Sequence, residues 1–191
     1  MSAMLRTFVA LSLPQTAITA LGQLQEGLKR CRLPVRWVRP DNIHLTLKFL
    51  GDTPPTVVPA VSDALAVAVS GAAPFYLGLK GVGVFPGIKA ARVIWAGLYG
   101  DVAQVIDLQQ AVETSLFKVG FPRDKRSFKA HLTLGRIKAA VAPAQMAEAL
   151  AAFSTFSAKR FVADAVTLFK SDLQPSGAVY TSLKRIALVG G

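Results

Sequence analysis

The chain has two histidines, His44 and His131, and each opens the same tetrapeptide: His44-Leu45-Thr46-Leu47 and His131-Leu132-Thr133-Leu134. In an extended strand, successive side chains point to opposite faces. Each His therefore shares a face with its Thr, while the leucines anchor the other face. Imidazole is the side chain that gives and takes protons near neutral pH. If the two strands face one another across a cleft, one ring can act as base and the other as acid on either side of a phosphorus centre. The threonine hydroxyls can then donate to the non-bridging oxygens, where charge must be held. Two histidines without a set of Asp, Glu or Cys beside them make a poor zinc site, since zinc takes three or four protein ligands. The expectation is chemistry with no metal and no cofactor. A lone His-Leu-Thr is an ordinary strand sequence. A matched pair that uses every histidine of the chain indicates an internal repeat with two equivalent sites.

The elements around the motifs follow from periodicity and breakers. Thr7 to Leu13 reads as a buried strand closed by Pro14, and Ala17, Leu21, Leu24 and Leu28 recur at helical spacing up to about Arg30. Val35 to Arg39 is a short extended piece between prolines, Asn42 to Leu50 a strand, and Val57 to Val69 a helix. Phe75 to Leu79, Val82 to Phe85 and Arg92 to Leu98 read as three strands, the last two separated by a Pro86–Gly87 turn. Val102 to Val119 is a helix, Phe128 to Ile137 a strand, and Pro143 to Phe153 an Ala-rich helix. Phe161 to Phe169 and Ala178 to Leu188 close the chain as strands. The order predicts an α+β fold over residues 1–191: a single domain of two pseudo-symmetric lobes, mainly antiparallel sheet with flanking helices, and a cleft between them.

Composition narrows the class of partner. Over 191 residues, 22 Lys and Arg oppose 11 Asp and Glu, a formal net charge of +11, while hydrophobic residues make up 52%. Ample apolar surface excludes a disordered chain, and the basic excess points to an anionic ligand. The apolar stretch from Val57 to Ala73 contains Pro59 and Asp63 and is too short to span a membrane. The first apolar run is cut by Pro14 and reads as a strand instead of an export signal. Cys31 is the only cysteine, which suits a reducing cytoplasm.

With these residues in place, the chain resembles the 2H phosphoesterase superfamily, whose members carry two H-x-T-x motifs. It is most similar to the bacterial and archaeal RNA 2′,3′-cyclic phosphodiesterases, first described as 2′-5′ RNA ligases. The opening R-x-F-x-A is matched by Arg6, Phe8 and Ala10, the tryptophan ahead of the first motif by Trp37, and H-x-T-L-K-F-L-G by His44 to Gly51. G-x-G-x-F-P and the following R-V-x-W are matched by Gly81 to Pro86 and Arg92 to Trp95. The second motif runs from Arg126 to Arg136, and Ser171, Gly177 and Tyr180 match the closing pattern. One departure is Ala130, where the family commonly has proline; it loosens the backbone ahead of His131.

The resemblance implies a monomeric cytoplasmic enzyme that opens a terminal 2′,3′-cyclic phosphate on RNA, tRNA fragments included, to a 2′-phosphate. Rejoining RNA ends through a 2′-5′ link is the related reverse chemistry. It further implies His44 as the acid at the departing 3′ oxygen, His131 as the base on water, and Thr46 and Thr133 as phosphate donors, although the repeat alone leaves the two histidines interchangeable. Arg126 is a candidate phosphate contact or a solvated charge among Arg123, Lys125 and Lys129. By alternation Lys48 shares the His44 face, to meet substrate or solvent. Trp37 and Tyr180 are candidates to stack on bases, whereas Phe8 and Trp95 read as packing. The alternatives are a non-catalytic RNA-binding module, and the same chemistry on 2′-5′ oligonucleotides or small cyclic nucleotides.

Overall fold

The computed structural model describes residues 3–175 and 177–190. Among the described residues, nine strands in two antiparallel sheets are interspersed with four α-helices. The first sheet has the order β3-β1-β8-β9, from β1 (Leu5–Leu11), β3 (Leu45–Thr53), β8 (Ala165–Gln174) and β9 (Gly177–Ala187). The second has the order β2-β6-β5-β4-β7, from β2 (Val35–Trp37), β4 (Phe75–Phe85), β5 (Val93–Gly100), β6 (Leu132–Ile137) and β7 (Ser157–Ala163). The two orders superimpose as β3-β1-β8-β9 on β6-β5-β4-β7, which places the two His-Leu-Thr-Leu strands at equivalent positions. Each sheet draws strands from both ends of the sequence.

The helices cross between the sheets. Helix α1 (Gln15–Lys29) follows β1 but packs on the second sheet, burying Ala17, Leu21, Leu24, Gln25 and Leu28. Helix α3 (Val102–Lys118) follows β5 but packs with α2 (Val58–Val69) on the first sheet. Helix α4 (Pro143–Ala151) buries Met146 and Ala149. The expected elements form, with three differences. The stretch 75–85 is one strand carrying a register shift, because Gly81 takes a positive φ and lets the chain continue instead of turning away. The stretch expected as Phe161–Phe169 splits at Asp164, with Ser157–Ala163 pairing in one sheet and Ala165–Gln174 in the other. The second motif strand begins at Leu132, so Phe128–His131 belong to the loop ahead of it.

Both motif strands carry a bulge at the second leucine. In the β1–β3 ladder Ala10 faces Thr46 and Val9 faces Lys48, leaving Leu47 as the extra residue. In the β5–β6 ladder Trp95 faces Thr133 and Ile94 faces Gly135, leaving Leu134 as the extra residue. One added residue shifts the pleat by one step, so the residues that follow change face, in β3 as far as a second shift at Leu50. Lys48 consequently turns inward. It is 2% exposed, and its Nζ donates to both Glu113 carboxylate oxygens at 2.8 Å and to the Pro122 carbonyl at 2.8 Å. The expected solvent or substrate contact for Lys48 is thus corrected. At the equivalent position Gly135 has no side chain, and a Cβ there would lie 2.4 Å from Val35 Cγ1 and 3.2 Å from Trp37 Cε3. Trp37 packs over that gap and, half-buried, also lines the cleft between the sheets.

Each bulge is held by a buried polar group from the helix that has crossed to it. Gln25 of α1 donates to the carbonyls of Leu134 and Val38 at 2.8 Å. Glu113 of α3 holds Lys48 and also accepts from the Asp124 backbone N–H at 3.3 Å, which ties down the loop that leads to His131. Removing one member of a buried ion pair strands the other without compensation. Urea unfolding of Glu113→Ala is expected to show a loss of about 3–5 kcal/mol, whereas Lys48→Met/Glu113→Leu stays far closer to the parent. A single change costing under about 1 kcal/mol would contradict this account of the pair.

Candidate active site

The two histidines are built alike. Each precedes its strand by one residue, and each ring Nδ1 donates to the backbone carbonyl two residues earlier: His44 to Asn42 at 2.7 Å, His131 to Lys129 at 2.6 Å. A carbonyl can only accept, so Nδ1 carries the proton and Nε2 is the nitrogen left for chemistry. Asn42 is itself fixed, its side-chain amide donating to the Ala178 carbonyl of β9 at 2.7 Å.

A cleft of about 420 Å³ lies between the sheets. His44, Thr46 and Phe49 line it from β3 and its approach, and Thr133 and Arg136 line it from β6. Strands β8 and β9 add Ser171 and Tyr180. The two threonines from opposite sheets thus share one cavity with His44. His131, two residues from Thr133, is half-buried and is not among the side chains that line this cleft, so the structure brings one of the two imidazoles into it; the His131 ring stands edge-on to Phe85 with centroids 4.9 Å apart. Arg126 lies on the exposed loop 121–131 and does not line the cleft. The guanidinium on this strand that does reach the cleft is Arg136. Simple alternation from His131 turns Arg136 away, and the bulge at Leu134 brings it back. Phe49 returns to the cleft side in the same manner after Leu47.

Aromatic side chains enclose His44. Phe8 stacks on it at 4.6 Å, itself buried at 3% exposure, and Tyr180 meets it edge-on at 5.2 Å. Burial away from water lowers the His44 pKa to about 4, against a smaller upward pull from the Asn42 hydrogen bond. Tyr180 is pushed above the usual phenol value by burial, with the charges of Arg136 and Arg6 acting in the opposite sense. Those two arginines, one from each sheet, therefore lie near the Tyr180–His44 pair.

The sequence matches the model of the family described as LigT-like phosphoesterase over residues 11–95 and 101–180. The chain belongs to that family. Over 179 residues it is 30% identical to an RNA 2′,3′-cyclic phosphodiesterase of Methanothermobacter thermautotrophicus, covering 94% of this chain and 96% of the relative. Among solved structures it is similar to TT0787 of Thermus thermophilus, with a TM-score of 0.79, 28% identity, and coverage of 97% of this chain and 98% of the other. It is also similar to E. coli LigT complexed with 3′-AMP, with a TM-score of 0.75, 26% identity, and coverage of 97% and 98%. The similarity thus extends across the whole LigT-like architecture, both motif strands included.

The ionisation of His44 can be read directly by NMR, since only two imidazoles contribute. In this LigT-like protein the His44 ring is expected to protonate near pH 4. Its folded pKa is depressed, so between pH 6.5 and 4 the unfolded chain binds a proton that the native state refuses, and stability falls as pH drops through that window. The fall amounts to about 3 kcal/mol for this group, and His44→Gln removes it. A His44 titration near 6.5 would contradict the role given to burial.

Proposed function

We propose that the protein hydrolyses the 2′,3′-cyclic phosphate at the end of an RNA to a 2′-phosphate, with the two histidines as acid and base and without a metal ion. The observation that carries this reading is the meeting of Thr46 and Thr133, from two equivalent strands of opposite sheets, in one cleft with His44 and Arg136. Relatives named RNA 2′,3′-cyclic phosphodiesterase at about full-length coverage support the substrate class. A neighbour of the same fold in complex with 3′-AMP supports a nucleotide in the cleft. Among the described residues no three His, Cys, Asp or Glu side chains gather as a metal site, and proton transfer by imidazole takes over the task a metal would otherwise perform.

The terminal phosphate sits with its non-bridging oxygens toward the Thr46 and Thr133 hydroxyls and the Arg136 guanidinium. Water attacks phosphorus opposite the 3′ oxygen. One Nε2 takes a proton from that water, the other gives a proton to the 3′ oxygen as the P–O3′ bond breaks, and the 2′ ester remains. We retain His44 on the leaving-group side and His131 on the water side. Because burial keeps free His44 neutral, the ring takes up a proton from solvent as the substrate binds, since the phosphate monoanion favours the imidazolium beside it. If a 5′-hydroxyl takes the place of water, the same displacement forms a 2′-5′ link and frees the same 3′ hydroxyl, so 2′-5′ joining needs no further group. We read the chain as one domain of two lobes that acts as a monomer in the cytoplasm, consistent with a single cysteine, and tRNA fragments are suitable substrates. Among the described residues no helix is long and apolar enough to cross a membrane.

An oligoribonucleotide ending in a 2′,3′-cyclic phosphate, incubated in EDTA, is expected to yield the 2′-phosphate, with turnover reduced about 10²–10⁴-fold in His44→Ala and in His131→Ala. Binding without turnover, unaffected by either change, would favour the non-catalytic module. Arg136→Gln is expected to lower kcat/KM by about 10²-fold, as for loss of one donor to a developing anion, and Arg126→Gln by less than about twofold. In the pH profile of kcat/KM, the acid limb is expected near pH 4, set by His44 in the free enzyme. An acid limb near 6.5 with no lower break would sink that assignment.

A further inference from the structure

The cleft carries more positive charge than one terminal phosphate can neutralise. Arg6, Arg36, Arg39 and Arg136 all line it, and no Asp or Glu does among the described residues. The ion pairs of the described residues lie elsewhere, at Glu26, Glu113, Asp172 and Asp164. Arg36 of β2 stands directly opposite Arg136 of β6 in the ladder. Like charges facing across a strand pair destabilise the sheet, and nothing among the described residues relieves this pair. A cyclic phosphate diester brings a single negative charge.

The four guanidiniums divide by position. Arg136 and Arg6 lie near Tyr180, which packs against His44, and so belong to the reacting end. Arg36 of β2 and Arg39 just beyond it flank Trp37 and Val38 at the edge of the second sheet, beside the strand of Arg136, and both are exposed and line the cleft. At the same mouth, Phe49 is 62% exposed and Leu173 is 70% exposed, large apolar groups left facing water. A charged track with apolar side chains beside it is how proteins hold single strands, the cations following the phosphates and the flat groups meeting the bases.

We propose that Arg36 and Arg39 form a second phosphate seat, which takes the internucleotide phosphodiester on the 5′ side of the terminal nucleotide. This deepens the phosphodiesterase reading above and rests on it for the placement of the terminal phosphate. The ligand of the cleft is then the end of an oligonucleotide, and the chain discriminates against lone nucleoside cyclic phosphates.

The test uses ligands that are not turned over: adenosine 2′-phosphate, and the dinucleotide ApA bearing a 2′-phosphate at its 3′ end, each titrated calorimetrically between about 50 and 200 mM salt. The dinucleotide is expected to bind at least about tenfold more tightly at the low-salt end, with a log–log salt slope steeper by about 0.7 for the one added phosphate. In Arg36→Gln/Arg39→Gln the difference in slope disappears and the advantage falls to what base stacking alone supplies. An ApA analogue with an uncharged methylphosphonate linkage should behave on the parent protein as ApA does on the variant. Equal slopes for the two ligands, a slope difference that survives the double substitution, or no binding of the dinucleotide would each overturn the proposal. Failure of the phosphodiesterase reading appears separately, as absent conversion of the cyclic end, and leaves the binding comparison intact.

Discussion

An extra residue in each histidine strand governs what reaches the cleft and what is buried beneath it. Up to Thr46 and Thr133, the pleat runs as any strand would, with leucines inward and hydroxyls toward the cavity. At Leu47 and Leu134 one residue is left without a partner, and the side-chain phase reverses. Without that step Lys48 would enter the cavity, while Arg136 and Phe49 would point into the helix layer. With it, the first sheet gains a buried ammonium and the second gains an arginine on its cleft face. The helices then answer the bulges: Gln25 donates to the Leu134 carbonyl, which also accepts from the Val38 backbone N–H, and Glu113 neutralises Lys48. Bulge, crossing helix and motif form one unit, repeated twice.

The repeat itself was legible in the sequence because it is written in residue types: two histidines, each followed at fixed spacing by leucine, threonine and leucine. The helices were equally plain from their apolar stripes, and the family resemblance supplied the pairing of the lobes. The bulges were not legible. No residue type marks Leu47 or Leu134, since a bulge is a property of the ladder and needs the partner strand to define it. The misplacement of Lys48 and the neglect of Arg136 share that origin. Arg126 drew attention because it stands in a basic cluster close to the motif, and distance along the chain is a poor guide across a loop. The division at Asp164 was hidden for a different reason: an unbroken β-forming run gives no indication that its two halves join different sheets.

Charge and dryness are arranged in opposition around the first motif. An imidazole is set among Phe8, Tyr180 and Phe169, where its protonated form is poorly solvated, and guanidiniums from both sheets surround it with no carboxylate lining the cleft among the described residues. Both features disfavour a proton on the empty site and both become less unfavourable once an anion is present. Such a cleft is primed for a phosphate and poorly suited to a neutral ligand. The phenol of Tyr180, kept protonated by the same burial, remains a donor instead of adding a negative charge to the cavity.

The interleaving of the sheets has a consequence for how the molecule is made. The first sheet begins with β1 and β3 but closes only with β8 and β9, more than a hundred residues later. The histidine of the first motif is therefore synthesised more than a hundred residues before the aromatic shelf of Phe169 and Tyr180 and the carbonyl of Ala178 that secures Asn42. Contacts so distant along the chain must await its far end. A nascent chain thus displays the first motif before the walls of its cleft exist.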